Sequence, residues 1–465
     1  MDKQIVREKN TVMFRRGLAG LLLASLLLSA CQFVPPLPKI VNKNRPNFVI
    51  IVSDDQRYDT MDYMPRTKRL IFDAGVTFSK GYATTPLCCP SRASILTGMY
   101  AHDHGVHTNT APLTQTTVIE RLHQSGYYTG MVGKYLNSWD GARRNEFDYW
   151  AVFEGHGASI YFDQRINLNG VWEVRPGYIT YVLRNYAVEM ARQATQQDKP
   201  FVLIFTPNAP HDPADPAPGD ETLYTDLSPY RPPSYNEQDL SGKPDWLQNS
   251  PPMKGMKRLD AFRIKQLQSL NSLDQAIASF LNVLSEAGKL DNTLVIYLSD
   301  NAVFWGEHQL QGKTYGYEEA IHVPFAARFP PLQSQPRVEN RLVANIDIAP
   351  TLYDLAGLAI PPNVDGRSLV PLLKGGSSSW RDALLIEGWP EPPSGGEQGV
   401  DQSTAIHPYA AIHTERYVYI ETEGDRSELY DLADDPYQLH NQADNPAFAK
   451  IVADLQKRLE QARTP

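Results

Sequence analysis

Cysteine is scarce in this chain of 465 residues, which has only three: Cys31, Cys88 and Cys89. Adjacent cysteines do not bridge each other without strain, so the sequence excludes a disulfide framework and leaves the pair at 88 and 89 in need of a chemical reason. Runs of Lys and Arg are also missing from the body of the chain, and its formal net charge is −9. This charge argues against a nucleic-acid partner.

No apolar run is long enough to span a bilayer comfortably, but the run "GLAGLLLASLLLSA" follows basic residues and ends at Cys31. This layout predicts a signal peptide over residues 1–30, and "LLSAC" resembles the lipobox of bacterial lipoproteins. We therefore expect an extracytoplasmic lipoprotein, on the periplasmic or cell-surface side, anchored to the membrane at a lipidated Cys31. Residues 31–46, which are rich in proline, would form a tether. The alternative is a plain secretory signal with a chance cysteine.

Apolar, β-branched runs in the rest of the chain predict buried strands, and helical periods alternate with them at 116–125, 178–197 and 257–287. The predicted fold class is α/β, with a large, mostly parallel mixed sheet flanked by helices on both faces. This catalytic domain would span residues 47–375. Short apolar runs and a last helix near 446–462 predict a small C-terminal α+β subdomain with an antiparallel sheet over residues 376–465.

Polar side chains follow four of these predicted strands. "NFVIIVSDD" and "NTLVIYLSDN" end in acidic pairs, and two further runs lead to Lys134 and His211. Ligands bind at the carboxyl ends of parallel strands, so these groups should converge on one sheet edge. Cys88 would join them beside a helix N-terminus, with Arg92 one turn further. The oxygen ligands point to Ca²⁺ or Mg²⁺, and they are expected to come from Asp54, Asp55, Asp300 and Asn301.

The segment "CCPSRASILTG" resembles the signature of the sulfatase family, C-x-P-S-R followed by L-T-G. "SDD", "GKYLN", "APHDP", "SDN" and "GKTYGYEEAIHVPF" follow in the order found in sulfatases, and "ELYDLADDPYQLHNQADNP" resembles the usual ending. The sequence is identified as a member of the formylglycine-dependent sulfatases, which belong to the alkaline phosphatase-like superfamily. "TTPLCCPSRASILTGMYAHDHGVHTN" together with "GKYLN" is most similar to the N-acetylglucosamine-6-sulfatase branch.

The resemblance implies that a maturation enzyme oxidises Cys88 to formylglycine and that the hydrated aldehyde attacks sulfur. Cys89 would only fill the variable position of the motif. The metal ligands would be Asp54, Asp55, Asp300 and Asn301 together with an oxygen on the modified Cys88. Arg92 would hold the hydrate. Lys134, Lys313 and His211 match the residues that neutralise the sulfate and assist the leaving oxygen.

Two positions depart from the family pattern. Many sulfatases have a histidine where this chain has Leu136, and the glycine that usually follows Asp-Asn is Ala302. The first departure leaves open which residue acts as the base that activates the hydroxyl nucleophile. The second raises the question of whether a turn there needs a positive φ. Asn137, His104 and His308 are expected to contact substrate.

The predicted activity is removal of sulfate from a sulfated carbohydrate. One alternative is a phosphonate or phosphodiester hydrolase that uses the same modified cysteine; another is a silent lipoprotein that binds sulfated glycans and keeps its thiol. Residues 207–256 contain eleven prolines and are predicted to wall the substrate pocket. The aromatic residues of this loop would either stack on sugar rings or pack the loop down; they are Tyr224, Tyr230, Tyr235 and Trp246.

Overall fold

The computed structural model describes residues 45–333, 335–376, 379–391 and 407–464. The strands are, in chain order, β1 Asn47–Ser53, β2 Val76–Phe78, β3 Gly81–Tyr82, β4 Tyr128–Gly133, β5 Tyr149–Phe153, β6 Arg165–Leu168, β7 Val171–Val174, β8 Phe201–Thr206, β9 Thr293–Ser299, β10 Phe304–Trp305, β11 Gln311–Gly312, β12 Phe325–Arg328, β13 Arg337–Glu339, β14 Val343–Ala344, β15 Ala383–Gly388, β16 Tyr409–Thr414, β17 Tyr417–Thr422 and β18 Glu428–Asp431.

The α-helices are α1 Pro65–Thr67, α2 Cys88–Thr97, α3 Ala101–His104, α4 Val118–Gln124, α5 Ile179–Thr195, α6 Asp245–Gln248, α7 Met256–Glu286, α8 Glu318–Ile321, α9 Ile348–Ala356, α10 Val370–Leu373 and α11 Ala449–Ala462. Short 3₁₀ or π turns occupy Tyr58–Tyr63, Lys68–Phe72, Gly155–Ser159, Leu290–Asn292, Asn345–Asp347 and Pro446–Phe448. The helical periods found in the sequence correspond to α4, α5, α7 and α11.

Ten strands form the main sheet, in the order β13–β2–β12–β9–β1–β8–β4–β5–β6–β7. The central pairs are parallel, whereas β12, β6 and β7 run antiparallel to their neighbours. All seven residues of β1 are buried, which explains why this strand is a nearly continuous apolar run. The predicted mixed α/β fold is confirmed.

Helices cover both faces of this sheet. Val49 and Ile51 of β1 belong to a core with residues of α5 and α7. Phe48 and Ile50, which point to the other face, belong to a second core with residues of α2, α4 and α9. Since successive side chains of a strand point to opposite faces, one short strand joins both cores and fixes the position of the residues that follow it.

The C-terminal part of the chain contains the predicted small antiparallel sheet, in the order β15–β16–β17–β18. Helix α11 packs on this sheet through Leu455 and Leu459. The limits of the two domains stay predictions. The predicted signal peptide, the lipidated Cys31 and nearly all of the tether lie outside the described residues. Within the residues that the structure describes, no helix combines the length and apolar character needed to cross a membrane.

Candidate active site

The two acidic pairs leave the sheet side by side. Asp54 follows β1 and Asp300 follows β9, and these strands are parallel neighbours with Ser53 opposite Ser299. The amide Nδ2 of Asn301 donates to Asp55 Oδ1 over 2.6 Å, although the two residues are 246 positions apart. The convergence expected from the strand endings is therefore present.

Three carboxylates form the centre of this group. Oxygen atoms of Asp54, Asp55 and Asp300 all lie within 4.8 Å of one another, and all three residues are buried. Asp55 has a φ of 68°, in the left-handed region that Asp tolerates better than most residues. The backbone N–H of Asp55 donates to Asp300 Oδ1 over 3.2 Å, which fixes the two acidic pairs relative to each other.

Three cations are paired with the three carboxylates. Lys134 Nζ lies 2.8 Å from Asp54 Oδ2 and Lys313 Nζ lies 2.7 Å from Asp55 Oδ1. Arg92 Nε lies 2.8 Å from Asp300 Oδ2. The formal charges of these six side chains sum to zero, so buried acids and bases compensate one another. We call the six residues, with Asn301 and Cys88, the strand-end cluster.

Cys88 is the first residue of α2, which places it at the helix N-terminus as expected. Gly98 ends the helix with a φ of 77°, a conformation that glycine adopts without strain. The Cys88 side chain is fully buried. Its Sγ lies 2.9 Å from Lys313 Nζ and 3.7 Å from Asp54 Oδ1. The structure thus places this sulfur between the acids and one of the lysines.

Charge and burial act on the protonation of the cluster in opposite directions. Burial favours neutral Asp54, but Lys134, with His211 and Arg92, holds the pKa of Asp54 well below its usual value. Burial and the charge of Asp54 raise the pKa of Asp300. Burial also raises the pKa of the Cys88 thiol, against the effect of Lys134 and Lys313. The unmodified sulfur is therefore a neutral thiol at neutral pH.

The predicted histidine, His211, also reaches the cluster. Its Nε2 lies 3.8 Å from Asp55 Oδ2, and its Nδ1 lies 2.8 Å from the carbonyl oxygen of Asp212. A carbonyl oxygen only accepts hydrogen bonds, so Nδ1 carries a proton and Nε2 is the atom available to the site.

Asn137 is anchored at the second cysteine. Its backbone N–H donates to Cys89 Sγ over 2.9 Å, while the N–H of Cys89 donates to Asn109 Oδ1 over 3.0 Å. Cys89 therefore ties the start of α2 to the loop after β4 and to the loop after α3. This packing role goes beyond simply filling a variable position of the motif.

The remaining predicted contact residues are engaged elsewhere in the protein. His104 Nδ1 accepts from the Val106 N–H, and Nε2 lies 3.1 Å from Ser94 Oγ; burial lowers the pKa of His104 to about 3. Both of its ring nitrogens therefore have partners within the protein, and its contact with substrate stays a prediction. His308 is fully buried and lies 2.7 Å from Glu237 Oε2.

His308 belongs to a second group of buried charges. Its Nε2 lies 3.5 Å from Glu319, and Lys243 Nζ lies 3.5 Å from Glu237 and 3.2 Å from the Tyr430 hydroxyl. The hydroxyls of Tyr315 and Tyr317 each donate to Glu428 over 2.6 Å. We call this group the tyrosine–lysine cluster; it comprises Glu237, Lys243, His308, Tyr315, Tyr317, Glu319, Glu428 and Tyr430.

The two departures from the family pattern are accommodated in different ways. Leu136 is buried and packs with Tyr135 and Trp150 in the second core. Ala302 is buried and is not among the residues with a positive φ. The alanine is therefore compatible with the local backbone, and the doubt raised by its replacement of glycine is resolved.

Several supporting residues escaped sequence analysis. Asn109 accepts the Cys89 N–H, Asn345 donates to Ser91 Oγ over 2.9 Å, and Gln266 donates to the carbonyl oxygen of Pro210 over 3.0 Å. Asn109 ends the quoted segment "TTPLCCPSRASILTGMYAHDHGVHTN" and Asn345 follows the two-residue strand β14, but neither position indicates these hydrogen bonds. Only their contacts in the folded chain show that they support the residues around Cys88 and His211.

The aromatic residues of the proline-rich loop pack against protein. Tyr224 makes an edge contact with Tyr63, Tyr230 with Trp305, and Trp246 with Tyr315. Arg231 lies 4.0 Å from the ring centroid of Tyr235. Of the two alternatives drawn from the sequence, these contacts favour packing of the loop over stacking on sugars.

The residues of the strand-end cluster suit a divalent cation. Its donors are oxygen atoms, and Asn301 Oδ1 is buried without a hydrogen-bond partner. A buried acceptor left without a donor is costly unless something else satisfies it. Asp54, Asp55, Asp300 and Asn301 together offer the oxygen set that Ca²⁺ or Mg²⁺ takes.

Comparison with known proteins agrees with this fold. The sulfatase family profile matches residues 46–358, and the profile of the C-terminal region of N-sulphoglucosamine sulphohydrolase matches residues 306–465. The chain therefore belongs to the sulfatase family.

The chain is similar to several sulfatases of other organisms. It is 33% identical to human N-acetylglucosamine-6-sulfatase, over 74% of this chain and 67% of that protein. It is 36% identical to the extracellular sulfatase SULF-1 homolog of Drosophila melanogaster, over 74% of this chain. The chain spans 33% of the fly protein and 52% of the matching Caenorhabditis elegans protein.

Solved structures share the whole described fold. A protein in complex with its substrate D-glucosamine-2-N,6-O-disulfate superposes with a TM-score of 0.76 at 25% identity, covering 90% of this chain and 97% of that one. Phosphonate monoester hydrolase of Agrobacterium radiobacter superposes with a TM-score of 0.72 at 23% identity, covering 90% and 95%. The second likeness concerns the fold alone.

Proposed function

We propose that the protein hydrolyses a sulfate monoester on a carbohydrate, with a formylglycine made from Cys88 as the nucleophilic group. The observation that carries this proposal is the strand-end cluster, in which three acids, three cations and Cys88 meet in one buried site. A divalent cation bound here would offset the single negative charge of a sulfate monoester together with that of a deprotonated nucleophile on residue 88, so no net charge would be added to the buried site.

Asp54, Asp55, Asp300 and Asn301 would hold Ca²⁺ or Mg²⁺, together with an oxygen on the modified residue 88. A bound divalent cation supplies Lewis-acid polarisation of oxygen atoms and neutralises negative charge. The support for this assignment is the mutual distance of the three carboxylates, within 4.8 Å, and the unpartnered Oδ1 of Asn301.

The cations around Cys88 have separate tasks in this proposal. Lys313, 2.9 Å from Cys88 Sγ, would stabilise negative charge at the nucleophile and on a sulfate oxygen. Lys134 and Arg92 would orient the groups around it. The Nδ1 proton of His211 is held by the Asp212 carbonyl oxygen, so His211 would protonate the departing alcohol oxygen from Nε2 as an imidazolium, with both ring nitrogens protonated.

For the substrate we propose a 6-sulfated glucosamine unit, free or in a glycan. Support comes from the human, goat and cow relatives named N-acetylglucosamine-6-sulfatase, at 33%, 32% and 32% identity. The solved complex with D-glucosamine-2-N,6-O-disulfate points to the same class of sugar. The solution partners would then be this sulfated carbohydrate and a maturation enzyme that acts on Cys88.

The deciding experiment combines mass analysis of the peptide spanning Cys88 with a substrate panel. We expect loss of the thiol, capture of an aldehyde by a hydroxylamine probe, and sulfate release from 6-sulfated N-acetylglucosamine and from an aryl sulfate. Faster turnover of aryl phosphonates or phosphodiesters would move the activity to that class. An alkylatable thiol at residue 88 with no turnover would support a silent glycan-binding protein.

We also propose that the protein is a lipoprotein held outside the cytoplasm at Cys31. The support is the basic start, the apolar run and the "LLSAC" sequence. Expression of the full chain with an alkyne-tagged fatty acid should label the wild type in the membrane fraction. The Cys31→Ala variant should lose the label; retention of the label would contradict lipidation at this residue.

A further inference from the structure

A cavity of about 240 Å³ lies between two loops, one between α3 and α4 and the other after β4. The residues that matter for its chemistry are Pro112, Leu113, Leu136, Trp139, Asp140 and Arg144. The strand-end cluster, as defined by its contacts, does not include any of them. The cavity therefore needs an explanation of its own.

Both walls of this cavity are joined to the cysteine pair. Asn137, between the lining residues Leu136 and Ser138, donates its backbone N–H to Cys89 Sγ over 2.9 Å. In the other wall, Asn109 accepts the N–H of Cys89 over 3.0 Å. Leu136 and Ser138 are one position from Asn137, and Pro112 is three positions from Asn109; since consecutive Cα atoms are about 3.8 Å apart, the cavity begins close to these contacts with the neighbour of Cys88.

The surface of the cavity suits the face of a sugar ring. Trp139 is half-buried, and its indole N–H is already satisfied by the carbonyl oxygen of Ala142 over 2.8 Å. Together with Leu113 and Leu136, the indole offers an apolar surface. The exposed carboxylate of Asp140 offers an acceptor for hydroxyl groups. An apolar wall with a few polar groups is the usual composition of a small-ligand site.

Its charge disfavours a second anion. The guanidinium of Arg144 lies 5.0 Å from the Trp139 ring centroid, but it is paired with Glu146 and with Glu120 at 3.5 Å. With Asp140, these side chains carry one positive and three negative formal charges. Repulsion therefore acts against a sulfate or carboxylate group placed here, whereas an uncharged ring meets no such penalty.

We propose that this cavity is a subsite for an uncharged saccharide ring linked to the sulfated ring, an inference that rests on the proposed function. The enzyme would then prefer a sulfated residue whose neighbour carries no sulfate. Trp139 would contribute stacking and Asp140 would exclude sulfated neighbours. Neither residue would take part in the chemical step.

The test uses three substrates: 6-sulfated N-acetylglucosamine, a disaccharide that adds an unsulfated N-acetylglucosamine ring, and the same disaccharide with that second ring sulfated. For the wild type we expect kcat/KM about tenfold higher with the unsulfated neighbour than with the monosaccharide, and lower with the sulfated neighbour. Trp139→Ala should remove the tenfold gain and leave monosaccharide turnover within about twofold.

Two further variants sharpen the test. Trp380→Ala is the matched control, because that indole also donates to a backbone carbonyl and lies under an arginine; it should keep the gain. Asp140→Lys, a change at an exposed position, should raise kcat/KM for the disaccharide with two sulfates. Binding of unsulfated N-acetylglucosamine disaccharide, followed by saturation-transfer NMR, should weaken in Trp139→Ala.

The outcomes separate this inference from the proposed function. Equal kcat/KM on all three substrates, or an equal loss on the monosaccharide and the disaccharides in Trp139→Ala, would overturn the subsite. Absence of sulfate release from every substrate would overturn the proposed function. In that case binding of the unsulfated disaccharide to wild type and to Trp139→Ala would still decide whether the cavity holds a sugar.

Discussion

The protein buries two groups of charges, and they differ in origin. The strand-end cluster is built from residues that follow parallel strands or begin a helix, and it meets at one edge of the main sheet. The tyrosine–lysine cluster joins the proline-rich loop, the loop after β9 and the C-terminal sheet. In the second cluster, phenol hydroxyls satisfy both oxygens of Glu428.

Burial of charge alone therefore does not mark a reactive site. Lys134 and Lys243 are both almost completely buried, yet only Lys134 faces a carboxylate next to Cys88. The strand-end cluster keeps an unpartnered amide oxygen on Asn301, whereas the two unpartnered atoms of the tyrosine–lysine cluster, His308 Nε2 and Glu319 Oε2, lie 3.5 Å from each other. The tyrosine–lysine cluster instead ties distant segments together. We expect the first to control turnover and the second to control stability, and the following experiments test that division.

The largest effect is expected at the cysteine pair. Cys88→Ala should lower kcat for sulfate release by at least about 10⁴-fold, because it removes the nucleophilic group, while the melting temperature stays close to that of the wild type. Cys89→Ala is the control at equal burial; it should lose the contact to Asn137 but remain active. Comparable loss of turnover in both variants would contradict the assignment of Cys88.

The two buried lysines give the direct comparison. Lys134→Met should lower kcat/KM by roughly 10²–10³-fold, the cost of removing one group that stabilises developing charge. Lys243→Met should instead lower the free energy of unfolding by about 3–5 kcal/mol, because it removes a buried cation and leaves His308 as the remaining basic partner of Glu237. Chemical denaturation measures the loss of stability in both variants, and steady-state kinetics measures the loss of activity. If both variants lost mainly activity, or both lost mainly stability, the two clusters would not have the separate roles expected here.

Removal of divalent cations should affect only the strand-end cluster. Dialysis against EDTA should abolish turnover and lower the melting temperature, and Ca²⁺ or Mg²⁺ should restore both. At a cation concentration 100 times its Kd the stabilisation is about 2.7 kcal/mol. Asp300→Asn should lose this response, whereas His308→Gln should keep it. An EDTA response that is equal in the two variants would show that the cation binds elsewhere.

The tyrosine–lysine cluster should instead respond to pH. Burial and Lys243 oppose protonation of His308, but Glu319 and Glu237 raise its pKa above the usual 6.5. A histidine with a raised folded pKa stabilises the fold fully below about pH 6.5 and loses that contribution as pH rises through the folded value.

The stability difference between wild type and His308→Gln should therefore be about 1–3 kcal/mol at pH 6 and shrink towards pH 9. Thermal unfolding across this range measures the difference. His440→Gln, at an exposed histidine, should show no such trend. A difference that grew with pH would contradict the direction given for the pKa of His308.

The smallest effect is expected at Ala302, beside the metal-ligand candidates. Since its φ is not positive, Ala302→Gly restores the usual family residue without relieving strain. It should lower the free energy of unfolding by about 0.4–1 kcal/mol, through the entropy of the unfolded chain, and change kcat/KM by less than about twofold. A large gain in activity would show that the alanine does perturb the site.

Sequence analysis predicted the strand-end cluster well for a physical reason. Each acidic pair ends a run of buried β-branched residues, and parallel strands place such ends at one edge. Lys313 required the family resemblance, because it follows a strand of only two residues, β11. The mixed sheet and the small C-terminal sheet followed from the same patterns.

The surroundings of His104 and His308, including the tyrosine–lysine cluster, were beyond the reach of these patterns. His104 and His308 lie beside motif residues, yet their partners, Ser94, Glu237 and Glu319, are set by tertiary packing. The same applies to Asn109, which is recognisable only through its bond to the Cys89 N–H. Nothing in local sequence distinguishes a histidine that faces a ligand from one that is enclosed by protein.

The complete burial of Cys88 has a consequence for the order of modification and folding. Its sulfur is out of reach of solvent in the folded protein, and the strand that completes one wall, β9, is synthesised some 200 residues after it, ending at Ser299. An enzyme that alters this side chain must therefore act while the chain is still emerging or unfolded. If the chain folded before Cys88 was modified, the product would be a well-packed protein without activity.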